Sequence, residues 1–520
     1  MSSKSEASLS RAIVHTTSVA NETLGVIDIG SNSGRVMVAR VADAAHLDVL
    51  GDARSPLRLV RDVTRDGLLQ PETIERTLCI VRGFVAVARS AGAERTVAVA
   101  TAAVREASNG EELIQRARSE LGIPVEIADG QEEAQLGFLG AVHGLPVEHG
   151  IVLDVGGGSL QLVHFRDRQL KRSWSLKLGA LRLNDRFLRS DPPTRGEMRN
   201  LKTYVYETME KEGVSSLLAD ERLIGTGGTV RNLAKVDRRT RGDYPISRLH
   251  GYVIDRRRLD DAGALLASQA ANDRGRVPGL NGDRSDSIVG GALVVQAVMD
   301  RLLAAEFTVA GYGLREGIAL RSVTDEAARV AEVQRASVLA LGGRFTSWDA
   351  VAAKRRAAVL ERLLAVVAPG LSAEALSAAV CAAQLLDIGA SIDYYRRHAH
   401  SARIVADANL DGYSHRTLAL IAAAVLAVGE REASVKGYAP LLGAADQPVV
   451  EQIAAAVGLA DGLVRYGSAD GDNALPERRN GHVSLATSVV DAWPLEAPTS
   501  RAERAFGLTL DFGAAARAAR

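Results

Sequence analysis

Cysteine is nearly absent. Two residues, Cys79 and Cys381, in a chain of 520 exclude a disulfide framework and a cysteine-built zinc site, and they suit a reducing compartment. Aromatic residues make up only 4% of the chain, too few for a base-stacking platform. No sign of charge dominates: 63 Lys plus Arg stand against 63 Asp plus Glu, a formal net charge of zero. That argues against a nucleic-acid coat or a polybasic membrane binder and leaves a local basic groove for an anionic ligand. No apolar run reaches the ~18 residues that a membrane span needs; Leu418 to Val428 comes closest. Met1 to Glu22 is rich in Ser and Thr and has no apolar core, so 1–22 reads as a disordered tail and not a signal peptide. The expectation is a cytoplasmic protein with neither nucleic acid nor membrane as partner. What is present is ordinary globular material, 47% hydrophobic and 24% charged, which excludes a disordered or fibrous chain.

Leu24 to Gly30 reads as a buried strand running into a glycine turn, Gly34 to Val41 as a second strand, and Leu47 to Leu50 as a third. A helix from about Pro71 to Ala91, a strand at Thr96 to Ala100, a helix at Gly110 to Leu121, a strand at Val125 to Ala128 and a helix from Gln131 complete a βββαβαβα order. The pattern then restarts at Gly150. Asp28-Ile-Gly-Ser-Asn-Ser33 and Asp154-Val-Gly-Gly-Gly-Ser159 superpose at an offset of 154 − 28 = 126 residues, about one domain length, so the chain carries two copies of one α/β unit. From about Glu326 an Ala-, Leu- and Arg-rich texture with helical spacing predicts an all-α domain. The organisation expected is a first lobe over 23–147, a second over 148–325, a helical domain over 326–470 and a C-terminal extension over 471–520, with Gly467 to Asn480 as loop and strand near His482 to Trp493.

A glycine directly after a buried strand lets backbone N–H groups approach an anion closely. Ser31, Asn32, Ser33 and Ser159 add neutral donors, and Asp28 and Asp154 stand at strand ends where they can hold a hydrated metal ion or position water. One such turn also suits a plain tight turn; two, at the openings of duplicated units, point to a ligand cleft. Gly225-Thr-Gly-Gly-Thr229 follows a short strand and opens a helix, which fits either a phosphate site at a helix N-terminus or a helix cap. Glu132 and Glu133 lie in the first turn of a helix, where carboxylates usually complement the dipole. Arg105 can clamp a phosphate with its planar fork or form a surface ion pair.

The ordered set Asp28 to Ser33, Thr101-x-x-x-Arg105, Gly130-x-Glu-Glu-Ala134, Asp154 to Ser159, Leu178-Gly-Ala-Leu-Arg182 and Gly225 to Thr229 resembles the exopolyphosphatase/guanosine pentaphosphate phosphohydrolase (Ppx/GppA) family. Pro278-Gly-Leu-x-x-x-Arg284 and Gly313-Leu-Arg-Glu-Gly317 look like family segments too. The resemblance implies the duplicated actin-like fold of sugar kinases and heat-shock ATPases, with ribonuclease-H-type lobes, followed by an all-α domain of HD-phosphohydrolase type. It implies Glu133 as catalytic base and Arg105 as a catalytic residue that holds phosphate. Ser31, Asn32, Ser33, Thr101, Gly156, Gly157, Gly158, Ser159, Gly227, Thr229 and Arg284 would hold phosphate, and Asp28 and Asp154 would bind Mg²⁺ or another divalent cation, with K⁺ a further candidate. The implied partner is inorganic polyphosphate, with guanosine penta- or tetraphosphate as the alternative, in a homodimer.

Two positions depart from the family pattern. Gln161 stands where the second phosphate loop commonly carries a glutamate, and Leu386 precedes Asp387 where relatives of the helical domain carry a histidine, so that domain is expected to do no chemistry. The leading expectation is an exopolyphosphatase. The alternatives are a guanosine pentaphosphate 5′-phosphohydrolase, a non-catalytic polyphosphate or guanosine tetraphosphate sensor, and a kinase of the same fold. A basic path for a long polyanion is expected among Arg168, Lys171, Arg172, Lys177, Lys354, Arg355, Arg356, Arg396 and Arg397.

Overall fold

The computed structural model describes residues 22–43, 46–466, 476–479, 482–487 and 493–514. The expected tail lies outside them apart from Glu22, which opens the first strand. The chain divides into two units, Met1–Gly242 with Leu249–Val333, and Asp243–Arg248 with Gln334–Arg520.

The first unit holds the duplication. In its first half β1 (Glu22–Ile29), β2 (Ser33–Asp43) and β3 (His46–Pro56) form an antiparallel meander, and β4 (Arg95–Ala100) and β5 (Val125–Ile127) add on in parallel, in the order β3-β2-β1-β4-β5. β1 is central and is buried from Thr23 to Ile27 and at Ile29, as a strand covered on both faces should be, with Asp28 half-buried. β3 runs six residues past the expected Leu50, because its outer half, Gly51 to Pro56, is a half-exposed edge with little apolar signal. The helices are α1 (Leu59–Asp66), α2 (Pro71–Ser90), α3 (Ala102–Glu106), α4 (Gly110–Leu121) and α5 (Gly130–His143). α1 and α3 were not expected; eight and five residues are too few to show a helical period.

The second half repeats this plan. β6 (Gly150–Val155), β7 (Leu160–Arg166) and β8 (Gln169–Leu176) form the meander. β9 (Arg222–Thr226), β10 (Val253–Asp255) and β11 (Glu306–Val309) extend the sheet in the order β10-β11-β9-β6-β7-β8. Its helices are α6 (Ala180–Phe187), α7 (Arg195–Lys211), α8 (Gly227–Thr240), α9 (Arg256–Ala267), α10 (Ala271–Arg274), α11 (Ile288–Leu302) and α12 (Leu314–Arg321). β6 has the neighbours of β1: one antiparallel, one parallel. Across these central pairs Asp28 faces Arg35 and Asp154 faces Gln161, and 161 − 35 is again 126. The fold is the duplicated α/β fold expected.

The second unit is built on α13 (Val330–Gly342), which runs into it, α14 (Ala350–Val367), α15 (Ala373–Leu385), α16 (Arg397–Asp407), α17 (His415–Val428) and α18 (Gln447–Tyr466). One stretch, Ala373–Ser391, is long and apolar enough in composition to cross a membrane, which corrects the expectation that none is. Ala378, Ala379, Cys381, Ala382 and Leu385 lie in the core of this unit, as in a core helix. After α18, β12 (Pro476–Arg479), β13 (His482–Thr487) and β14 (Thr509–Ala514) form a small sheet, with α19 (Glu496–Phe506) between the last two. Val483, Leu485, Leu495, Ala502 and Leu510 enter the same core as the helices, so the described part of the extension belongs to this unit. Strand occupies Pro476–Arg479 where loop was expected; 467–475 lie outside the described residues.

Candidate active site

The two Asp-x-Gly turns meet. A Cβ on Gly157 would lie 2.8 Å from Asn32 Cβ, and one on Gly158 3.1 Å from Ser31 Oγ, so glycine is what allows the two backbones this close. The second turn is braced from behind by the segment Leu178 to Arg182. Ala180 N donates to Gly156 O (2.9 Å), Leu181 N to Gly157 O (3.0 Å) and Arg182 Nε to Gly158 O (3.0 Å). Arg182 is itself fixed by Glu106 at 2.6 Å. A Cβ on Gly179 would overlap the backbone of Gly158 and Ser159. With its acceptors engaged, the turn is suited to offer N–H groups to an anion. In the first turn Ser31 Oγ accepts from Ala103 N (3.1 Å) and so also starts α3.

Residues of these turns, with Asp28, Thr101, Glu133, Asp154, Gly227 and Arg284, line one cavity of ≈ 110 Å³. Gly227 has φ +86° and presses its backbone against Asp154 Oδ1. A Cβ on Gly228 would lie 2.5 Å from Arg284 Nη2 and 3.2 Å from Arg35 Nη2, so the start of α8 is bare where two guanidinium groups need room. Two expected contacts sit elsewhere. Thr229 is buried and donates its hydroxyl to Val155 O at 3.1 Å, tying α8 to β6. Gly158 packs on Ser31.

Three lining arginines are not among the site residues expected from the sequence, although Arg315 lies inside the Gly313-to-Gly317 segment singled out there. Arg35, Arg231 and Arg315 join Arg284 around the cavity. Arg35 comes from β2, opposite Asp28. Arg231 is the fifth residue of α8 and donates to Gly311 O (2.8 Å). Arg315 is on the first turn of α12, beside Glu316 (3.6 Å), whose carboxylate accepts from Gly313 N (2.8 Å). Burial, and then the neighbouring arginines, push Arg35 down to about 8 and lower Arg231; burial also brings Arg284 to about 10. Cations so placed call for a multiply charged anion.

The carboxylates respond in the opposite sense. Burial raises Asp28 to about 6, against the pull of Arg35, and it raises Asp154. Asp28 Oδ1 is sealed from solvent without a hydrogen-bond partner among the described residues. Two hard oxygen donors, one of them an unpartnered buried oxygen, are chemically suited to a divalent cation such as Mg²⁺. Among the described residues no three His, Cys, Asp or Glu side chains gather as a ligand set.

Glu133 enters on α5, whose start is capped by Asp129 accepting from Gln131 N and Glu132 N, both at 2.8 Å. α5 crosses α12 at bare backbone: a Cβ on Gly140 would overlap Gly313 O, and one on Gly317 would overlap Leu136 O. The crossing places the starts of both helices at the cavity. The adjacent glutamates part company there, Glu133 lining the cavity and Glu132 a separate small cleft. Burial raises Glu133 to about 7, with Arg105 opposing, the range in which a general base works best. Arg105 Nη1 donates to Glu133 Oε2 (3.2 Å) and to Ala128 O (2.5 Å); it orients the carboxylate.

The expected basic path needs correction. Arg168 is buried and spends its guanidinium on the carbonyls of Val142, Leu145 and Val147. In the helical unit Arg356 is buried against Asp387 (2.5 Å) and Asp461 (2.8 Å), and Arg465 meets Asp387 at 2.6 Å, with Arg397 at 3.6 Å. Asp387 is thus consumed by arginines, Leu386 is fully buried, and burial pushes the nearby His398 down to about 4.

The family model described as the Ppx/GppA phosphatase family matches residues 36–326, and that of its domain III matches residues 333–468. The chain belongs to the Ppx/GppA phosphatase family. Exopolyphosphatase 1 of Mycobacterium leprae is 30% identical over 315 residues, 60% of this chain and 92% of the relative; Exopolyphosphatase 1 of Mycobacterium tuberculosis is 30% identical over 323 residues, 61% and 92%. A crystal structure of the Aquifex aeolicus Ppx/GppA family member matches with TM-score 0.51 at 26% identity, covering 58% of this chain and 97% of that one. An exopolyphosphatase-like protein matches with TM-score 0.53 at 27% identity, covering 58% and 98%. As a Ppx/GppA phosphatase the chain is a hydrolase of phosphate esters or anhydrides, and the cavity is its candidate active site.

Proposed function

We propose that this chain is an exopolyphosphatase, which hydrolyses the terminal phosphoanhydride of inorganic polyphosphate and releases orthophosphate one unit at a time. The observation that carries this reading is the set of four largely buried arginines, Arg35, Arg231, Arg284 and Arg315, around one cavity that also holds a buried glutamate. A chain of phosphates supplies the density of negative charge that such a cluster needs. The names of the relatives support the same substrate.

In this reading the two glycine turns and the arginines hold the last phosphates in line. Water attacks the terminal phosphorus, Glu133 takes the water's proton, and the shortened chain leaves as a stable anion. Orientation and charge neutralisation supply most of the rate. Asp28 and Asp154 would hold Mg²⁺ or another divalent cation, which when bound offsets phosphate charge.

The test is orthophosphate release from polyphosphate, from guanosine pentaphosphate, and phosphoryl transfer from ATP to sugars, measured side by side. A kcat/KM at least about tenfold higher on polyphosphate, ~1.4 kcal/mol in the transition state, is expected. The reverse order assigns a pentaphosphate phosphohydrolase, and tight binding without turnover on either assigns a sensor.

A further inference from the structure

A second, smaller cavity of ≈ 20 Å³ shares Glu133, Asp154, Gln161 and Leu314 with the main one and is also walled by Phe138 and Val163. A water needs roughly 10–15 Å³ and two to four polar partners; this space fits one. Gln161 is 5% exposed. Its Nε2 donates to Ser175 Oγ (3.0 Å) and approaches Ser159 Oγ (3.4 Å), which fixes the amide. Its Oε1 is buried with no hydrogen-bond partner among the described residues. The sheet register puts Asp154, Gln161 and Ser175 in one row, and a Cβ on Gly130 would lie 2.7 Å from Ser175 Oγ. Gln161 therefore stands between the strand that carries Asp154 and the start of the helix that carries Glu133.

We propose that this cavity holds the attacking water and that Gln161 is its positioning residue: Oε1 accepts one O–H of the water while the Glu133 carboxylate accepts the other. The inference rests on the hydrolytic reading above. With both O–H bonds engaged, a lone pair of the water is aimed at phosphorus. One O–H then breaks and its proton goes to Glu133. The new O–P bond forms, the bridging P–O bond breaks, and its electron pair leaves with the shortened chain. The second O–H stays on the oxygen and ends in the orthophosphate; Glu133 returns its proton to solvent. The duplication sets Arg35 at the matching position of the first half, beside Asp28; a cation at 161 would pair with the base, whereas the amide keeps an oxygen that accepts from the water.

The test compares Gln161→Leu, Gln161→Glu and Glu133→Gln on polyphosphate, with kcat, KM and the pH–rate profile read separately. Gln161→Leu removes the acceptor and should cut kcat about 10²-fold, the usual cost of a misplaced nucleophile. KM should stay within about twofold, because ground-state contacts are intact. Gln161→Glu keeps an acceptor and should recover most of kcat while moving the acid limb to higher pH, since a second carboxylate raises the base. An unchanged kcat in Gln161→Leu, or a rise in KM that accounts for the loss, overturns the proposal. Activity surviving in Glu133→Gln overturns Glu133 as the base, and absence of polyphosphate turnover by the wild type overturns the hydrolytic reading itself, so the two failures are distinguishable. A crystal structure of the wild-type protein decides independently of folding or turnover in the variants: an ordered water within hydrogen-bond reach of both Glu133 and Gln161 is expected, and a dry cavity overturns it.

Discussion

At the scale of single residues the candidate site is a set of charges displaced from their ordinary titration ranges by burial. Glu133 matters most, because its proton decides whether it can act as a base. Its carboxyl is raised from 4.5 to about 7 by desolvation, so below that pH it is protonated and idle, and above it is charged and competent. The kcat/KM of the free enzyme should accordingly rise with pH along an acid limb near 7, which a pH–rate profile at saturating metal will show; a limb at the ordinary carboxylate range of about 4.3 would refute the burial argument. Arg35 makes a second prediction. Loss of a charge-assisted contact to phosphate is worth about 1.5–3 kcal/mol, so Arg35→Ala should raise KM for polyphosphate by roughly one to two orders of magnitude, measured by initial rates. The residue scale is also where sequence reading reached least. Asp28, Asp154 and the glycines announce themselves by following buried strands. Arg35, Arg231 and Arg315 look like ordinary charges on a strand and on two helices; only the fold brings them to one point. Extending the Gly225-to-Thr229 cluster by one helical turn would have reached Arg231, and Arg315 already lay within the Gly313-to-Gly317 segment.

At the scale of elements the site depends on backbone contacts that tolerate no side chain. The crossing of α5 and α12 and the brace of α6 behind the second turn each use glycines whose Cβ would strike main chain. Gly317→Ala should therefore destabilise the first unit by about 1–3 kcal/mol or more and lower kcat as well, since the displaced helix carries Glu133. Gly228→Ala meets only the ends of the Arg284 and Arg35 side chains, which can swing aside, so it should leave the melting temperature nearly unchanged and raise KM. Thermal melts run beside kinetics separate the two. Element order was legible because β1 and β6 are largely apolar runs and α2 and α4 show clear helical periods. The outer half of β3 and the short helices α1 and α3 were not, since a polar edge strand and a single helical turn leave no periodic signal.

At the scale of the molecule a hydrolytic first unit is joined to a helical unit whose polar centre is a set of ion pairs. Arg356 is 4% exposed and faces Asp387 and Asp461. Removing Asp387 leaves Arg356 with Asp461 as its remaining partner, so Asp387→Ala should cost less than the ~3–5 kcal/mol of a fully orphaned buried charge, seen as a lowered melting transition by calorimetry. Chelators should leave that transition where it is, because arginines and not a metal occupy the carboxylates. A metal-dependent phosphodiesterase activity that persists in Glu133→Gln would show instead that the helical unit has chemistry of its own.

The central claim is that one buried cavity, with Glu133 as its base, removes the terminal phosphate of polyphosphate. The most direct measurement is orthophosphate release from long-chain polyphosphate by wild-type protein and by Glu133→Gln, with polyphosphate binding to both followed in parallel. Turnover in the variant should fall by about 10²–10⁴-fold while its affinity for polyphosphate stays within a few-fold of wild type. Near wild-type release by Glu133→Gln, or loss of binding equal to the loss of rate, would contradict the account.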